Sequence, residues 1–91
     1  MLHVLICHDK PGALEIRKAN REAHLAYIKE TGIVAQAGPV LDAAGAMAGS
    51  VIVLNAETRA EAERWAEGDP YAKADLFASV EILTWNRVIG G

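Results

Sequence analysis

Apolar positions along this chain gather into short β-rich runs separated by longer stretches of helical period. "LHVLIC" (2–7) is a first strand, closed by Asp9, Pro11 and Gly12. "ALEIRKANREAHLAYIKE" (13–30) consists of helix formers with no breaker before Gly32. "GIVAQAGPVLD" (32–42) reads as a strand with an irregularity at Gly38-Pro39, since proline has no N–H for a ladder. "AAGAMAG" (43–49) is small and glycine-containing, and predicts a turn or flexible loop. "SVIVLN" (50–55) is the clearest strand. "AETRAEAERWAE" (56–67) predicts a short helix, capped by Thr58 or Asn55 and stopped by Gly68. "DPYAKADLF" (69–77) adds one or two further helical turns, and "SVEILTWNRV" (79–88) a last strand.

The resulting order, βαββαβ, predicts an α+β fold: a ferredoxin-like sheet with its helices on one face. The first and third strands then lie in the middle of the sheet. Both are apolar on both faces: Leu2, Val4 and Ile6 alternate with Leu5 and Cys7, and Val51 and Val53 with Ile52 and Leu54. Helices cover one face only. The other needs a cover too, and a second copy of the same sheet is the economical one. A homodimer with sheets packed face to face is therefore expected.

On a helical wheel, Glu15, Lys18, Glu22 and Lys29 mark the solvent side of residues 13–30. Ile16, Ala19, Ala23 and Tyr27 lie opposite and predict the core stripe. Beside that stripe Arg17, Asn20, Arg21 and His24 stand at spacings of three and four, so Arg17, Arg21 and His24 form one polar column. Snorkelling of long stems toward water accounts for any one of them. Three cationic or ionisable groups in one column call for a counter-charge, either a protein carboxylate or an anionic ligand.

Asp69 is a candidate for that carboxylate. After Gly68 and before Pro70 it is well placed as an N-cap, with proline at the first helical position. Capping occupies one carboxylate oxygen and leaves the other for an imidazole N–H. A βαβ crossover also brings the end of the second helix beside the first.

Composition bounds the rest. Ninety-one residues make a single domain, residues 1–91. With 52% hydrophobic and 23% charged residues the chain is that of a folded protein. A net charge of −3 argues against nucleic acid as the main partner. Its one cysteine, Cys7, excludes an internal disulfide, and a reducing cytoplasm is the expected compartment. The apolar N-terminus is too short to span a membrane and lacks the features of a signal peptide. A metal site of His8, His24 and Asp69 has no spacing motif behind it, so no metal is expected, nor any cofactor.

"RKANREAHLAYI" (17–28), "AGP" (37–39), "GS" (49–50) and "AERWAEGDPY" (62–71) resemble, in the same order along the whole chain, the YciI-like (YCII-related) family. The arginine–histidine helix and the Asp-Pro-aromatic motif carry most of that resemblance. It implies a ferredoxin-like dimer of the dimeric α/β-barrel type and an active site of one histidine and one aspartate, falling on His24 and Asp69. One branch similar to the family dehalogenates a chlorinated muconolactone.

The chemistry expected of such a pair is general acid–base catalysis, with Asp69 fixing the tautomer of His24. Arg17 or Arg21 would hold the carboxylate of a small organic anion. Ser50 and Tyr71 complete the expected ligand-binding set, while Cys7 reads as a core residue. The reaction expected is proton transfer on a small carboxylated or lactone-like substrate, leading to elimination, isomerisation or hydrolysis. The rival readings are a non-catalytic module that binds a small anion and a structural dimeric subunit.

Overall fold

The computed structural model describes residues 1–90. Its elements run β1 (Leu2–Asp9), α1 (Leu14–Thr31), β2 (Val34–Leu41), β3 (Met47–Asn55), α2 (Arg59–Gly68), α3 (Pro70–Lys73) and β4 (Phe77–Trp85). The strands form one antiparallel sheet in the order β2-β3-β1-β4, so β1 and β3 are central. This is the expected ferredoxin-like α+β arrangement. Among the described residues no helix is long and apolar enough to cross a membrane.

Several boundaries differ from those the sequence predicts, chief among them those of β1, β3 and β4. β1 continues to Asp9, past a register shift between His8 and Asp9 on its β4 side. β3 begins at Met47, because residues expected in the loop pair instead with β2 and β1. Gly49 sits there opposite both Val40 and His8, and a Cβ at that position would run into the Cys7 carbonyl. β4 lies earlier than expected, since its ladder to β1 ends where Leu2 meets Trp85.

Strand parity sorts the two faces. Leu5, Cys7, Ile52 and Leu54 point to the helices and form the main core with Ala62 and Trp65 of α2. Each fully buried aliphatic side chain there contributes roughly 1.5–3 kcal/mol. Tyr27 of α1 donates its hydroxyl to the Trp65 carbonyl, and Trp65 Nε1 donates to Thr31 Oγ1, which ties α2 to the end of α1. Gly68 allows that approach: a Cβ there would meet the Tyr27 hydroxyl at 2.5 Å. On the other face, Val4, Val51, Val53, Leu83 and Trp85 line a shallow apolar groove. Val51, Leu83 and Trp85 are each more than a third exposed.

The rotation of α1 corrects the helical wheel. Ile16 is 39% exposed, Ala19 and Ala23 are exposed, and Tyr27 is half-buried. The buried residues of α1 are instead Arg17 and His24. The reason is electrostatic: both polar groups find acidic partners inside the fold, so the cost of burying them is met there.

Candidate active site

The end of α2, the start of α3 and the middle of α1 converge over the helix-covered face of the sheet. Gly68 closes α2, and Asp69 turns the chain in extended geometry (φ −62°, ψ 126°) into Pro70, the first residue of α3. The carboxylate of Asp69 accepts the Tyr71 backbone N–H at 3.1 Å, the capping bond expected of that position. It also meets His24 Nδ1 at 2.7 Å, with both side chains almost fully buried. Both contacts fall on Oδ1, rather than on one oxygen each as the sequence leads one to expect.

A carboxylate can only accept, so Nδ1 carries the shared proton as donor. The neutral imidazole then has its lone pair on Nε2, the nitrogen left for a ligand. The ring is clamped on its face by Tyr71, stacked at 4.0 Å and 15°. Burial raises the Tyr71 phenol above its ordinary value, against the opposing pull of Arg17 and Arg21 and with Asp69 adding to the rise. Tyr71 therefore stays a neutral phenol near neutral pH.

Beside this pair opens a cleft of about 190 Å³ between α1 and the β2–β3 edge of the sheet. His24, Arg17, Arg21, Ser50 and Tyr71 all line it, and Asp69 stands behind His24. The structure thus brings together every site residue expected from the sequence. Leu25, Ile28, Pro39 and Met47 supply the apolar wall. A cleft of this size suits a small ring and not a polymer or a dinucleotide.

The two arginines differ in kind. Arg17 is buried and bidentate to Asp9, with Nε to Oδ2 at 2.7 Å and Nη2 to Oδ1 at 2.9 Å. Its guanidinium lies 4.7 Å from the centre of the Tyr71 ring. Burial works against the Arg17 charge, but the Asp9 hydrogen bonds and charge more than offset it and hold its pKa above the ordinary value. Arg17 is therefore already neutralised within the protein. Arg21 is exposed at the mouth of the cleft and has no ion pair among the described residues. Of the two, Arg21 is the cation free to meet an anionic ligand.

Asp9 is the site residue that sequence reasoning missed. The first strand reads as ending at Cys7, with Asp9 as punctuation before Pro11-Gly12. The available signal is strand parity: Leu5, Cys7 and Asp9 share one face once β1 runs two residues further. Among the described residues no group of three or more His, Cys, Asp or Glu is placed to hold a metal ion.

Comparison with known proteins places the chain in a family and supports the fold. A family model described as the YCII-related domain matches residues 1–86. The structure of 5-chloro-2-hydroxyhydroquinone dehydrochlorinase (TftG) from Burkholderia phenoliruptrix, in complex with 2,5-dihydroxybenzoquinone, is similar over 94% of each chain, with 35% identity and a TM-score of 0.88. A structure of an antibiotic biosynthesis monooxygenase aligns over 98% of this chain and 100% of its own, at 12% identity and a TM-score of 0.61. A protein from Nitrosomonas europaea, provisionally assigned to the same monooxygenases, aligns over 97% and 98%, at 17% identity and a TM-score of 0.57. These last two share the fold alone. No match was found among curated proteins.

Proposed function

The chain belongs to the YCII-related domain family, and from that premise we propose that it is a small-molecule enzyme using His24 and Asp69 for acid–base elimination on a small oxygenated ring. One observation carries the reading: a buried imidazole held by Asp69 through Nδ1, with its other nitrogen left for a ligand in the cleft. The likeness to a dehydrochlorinase at 35% identity favours elimination over isomerisation or hydrolysis.

In that reaction His24 Nε2 takes a proton from the carbon next to a ring carbonyl. The electron pair left behind becomes the new carbon–carbon double bond. The leaving group departs from the adjacent carbon with its bonding pair, so a chlorinated ring loses HCl in total. Asp69 stabilises the imidazolium formed in between. Arg21 at the mouth receives an ionised oxygen or carboxylate of the substrate.

We also read the protein as a homodimer of the reducing cytoplasm. The open sheet face, with Val51, Leu83 and Trp85 in solvent, is apolar enough to need a cover, and a second copy of the same face matches it in polarity. Neither nucleic acid nor membrane is needed as a partner.

The test is chloride release from 5-chloro-2-hydroxyhydroquinone, beside a panel of chlorinated lactones and carboxylates, by wild type and His24→Gln. Release by wild type and its loss in His24→Gln is expected. A panel without turnover, or turnover unaffected by His24→Gln, overturns the enzymatic reading. Tight binding without turnover favours the small-anion module.

A further inference from the structure

A question left by the cleft is what its buried, already neutralised arginine does. Arg17 Nη2 makes two contacts at once: one to Asp9 Oδ1, and one to Ser50 Oγ at 2.9 Å. Ser50 is almost fully buried, yet it lines the cleft. It stands on β3 opposite Cys7 of β1 and Pro39 of β2, with Ile52 and Leu54 sharing its face.

A guanidinium has no lone pair to offer, so at this contact Ser50 Oγ must accept. The hydroxyl proton is then directed away from Arg17. Among the described residues no acceptor takes it. A hydroxyl that accepts from a cation is also polarised, which makes it a stronger donor. Asp9 fixes the direction of the whole arrangement. Both of its oxygens bind the guanidinium, and the fork is rigid, so Nη2 has little freedom to swing off Ser50.

We propose that Asp9, acting through Arg17, sets the Ser50 hydroxyl as the hydrogen-bond donor to an oxygen of the ligand in the cleft. Asp9 and Arg17 are positioning residues in this arrangement, and Ser50 touches the ligand. The inference rests on the reading of the cleft as the ligand site. It adds to that reading a chemical requirement: the ligand carries an oxygen acceptor, such as a ring carbonyl or enolate, facing β3, on the side of the cleft opposite α1. His24, from α1, would then take the proton while Ser50, from the sheet, receives the charge that appears on oxygen.

The probe is 2,5-dihydroxybenzoquinone, whose binding is followed by its own visible absorbance. Ser50→Ala should weaken binding roughly tenfold, the size of a charge-assisted hydrogen bond, and Ser50→Thr should restore most of it. Asp9→Asn should weaken it by a similar factor, and adding Asp9→Asn to Ser50→Ala should cost nothing further. Asp9→Asn leaves Arg17 buried without its counter-charge and can fail to fold. The charge-free pair Asp9→Asn/Arg17→Gln serves in its place, with the same expected non-additivity against Ser50→Ala. Losses that multiply, or a Ser50→Ala variant that binds as wild type, overturn the relay. So does an Asp9 substitution that lowers Tm but leaves binding unchanged. Binding by wild type without turnover would overturn the elimination reading and leave the relay to these cycles; absence of binding by wild type overturns both.

Discussion

Asp69→Asn should separate the two tasks that meet on one carboxylate oxygen. Oδ1 accepts the Tyr71 N–H at 3.1 Å and the His24 Nδ1–H at 2.7 Å. An asparagine can place its carbonyl oxygen there and accept both bonds, and it is as good an N-cap as aspartate. The stability change should stay below about 1 kcal/mol. Asp69→Ala is the contrasting perturbation. It removes the cap, worth about 1 kcal/mol, and strands a buried imidazole N–H, worth about 1–3 kcal/mol. Roughly 2–4 kcal/mol should be lost in all. Turnover should separate the variants the other way. A carboxylate and an imidazolium with charge centres some 4 Å apart interact by about 4 kcal/mol at an effective dielectric of 20. Part of that survives as the retained hydrogen bond, so kcat in Asp69→Asn should fall by about 10²–10³. Urea melts give the first comparison and chloride release the second. Asparagine destabilising as much as alanine would refute the geometry. Asparagine turning over within about threefold of wild type would refute the role of the charge.

Strand parity makes a sharper test of the dimer than sequence allows: Val51→Lys, on the open face, should give a folded monomer in sedimentation, while Ile52→Lys, on the helix face, should unfold the domain. A wild type that is monomeric at micromolar concentration would refute the face-to-face pairing. His3 is buried with Nε2 unpartnered and Nδ1 3.3 Å from Thr84 Oγ1, so His3→Leu removes an orphaned polar atom and should raise stability by roughly 1 kcal/mol in a urea melt. A loss of that size would refute it. Burial, reinforced by Asp69 against the pull of Arg17, pushes the Cys7 thiol from 9.0 up to about 12. Between those values the folded thiol keeps its proton while the unfolded thiol gives it up, so this contribution is intact below the unfolded value and is lost as pH rises through the folded one. Stability should fall with pH above about 9 by up to roughly 1.4 kcal/mol per unit from this group, and an equally steep fall in Cys7→Ala would refute the assignment.

Some of the site is legible in the sequence because its rules are local. Gly68-Asp69-Pro70 announces a helix end, a cap and a restart in three residues, and the structure places all three so. Spacing of three and four puts Arg17, Arg21 and His24 on one side of α1 without any knowledge of the sheet. The pairing of His24 with Asp69, 45 residues apart, follows once βαββαβ is accepted, because that topology lays α1 and the end of α2 on one face. Asp9 is not legible in this way. A β-rich run gives the middle of a strand, and the last two residues of β1 depend on whether β3 and β4 are there to pair with them. The same dependence hides the start of β3 at Met47, where glycine and alanine carry no strand preference of their own.

The rotation of α1 is the instructive failure. A helical wheel ranks faces by hydropathy, and by that measure Ile16, Ala19 and Ala23 should meet the sheet. They do not, because hydropathy charges Arg17 and His24 the full cost of burial while knowing nothing of Asp9 and Asp69. Each partner comes from a different element, Asp9 from β1 and Asp69 from the α2–α3 turn, so no window on α1 contains the compensation. Two faces of α1 thus compete for the sheet. The apolar one offers one isoleucine and two alanines, a small area that is indifferent to rotation. The polar one offers two pairs with fixed geometry, which hold only when the helix is turned one way. The orientation of α1 is specified by the Arg17–Asp9 ion pair and the His24–Asp69 hydrogen bond, and the same contacts hold the side chains that line the cleft. That coupling explains why this small domain accepts buried polar groups where an apolar stripe stood ready: a helix rotated onto Ile16 would carry His24 off Asp69 and Arg17 off Ser50, and leave the cleft without its polar lining.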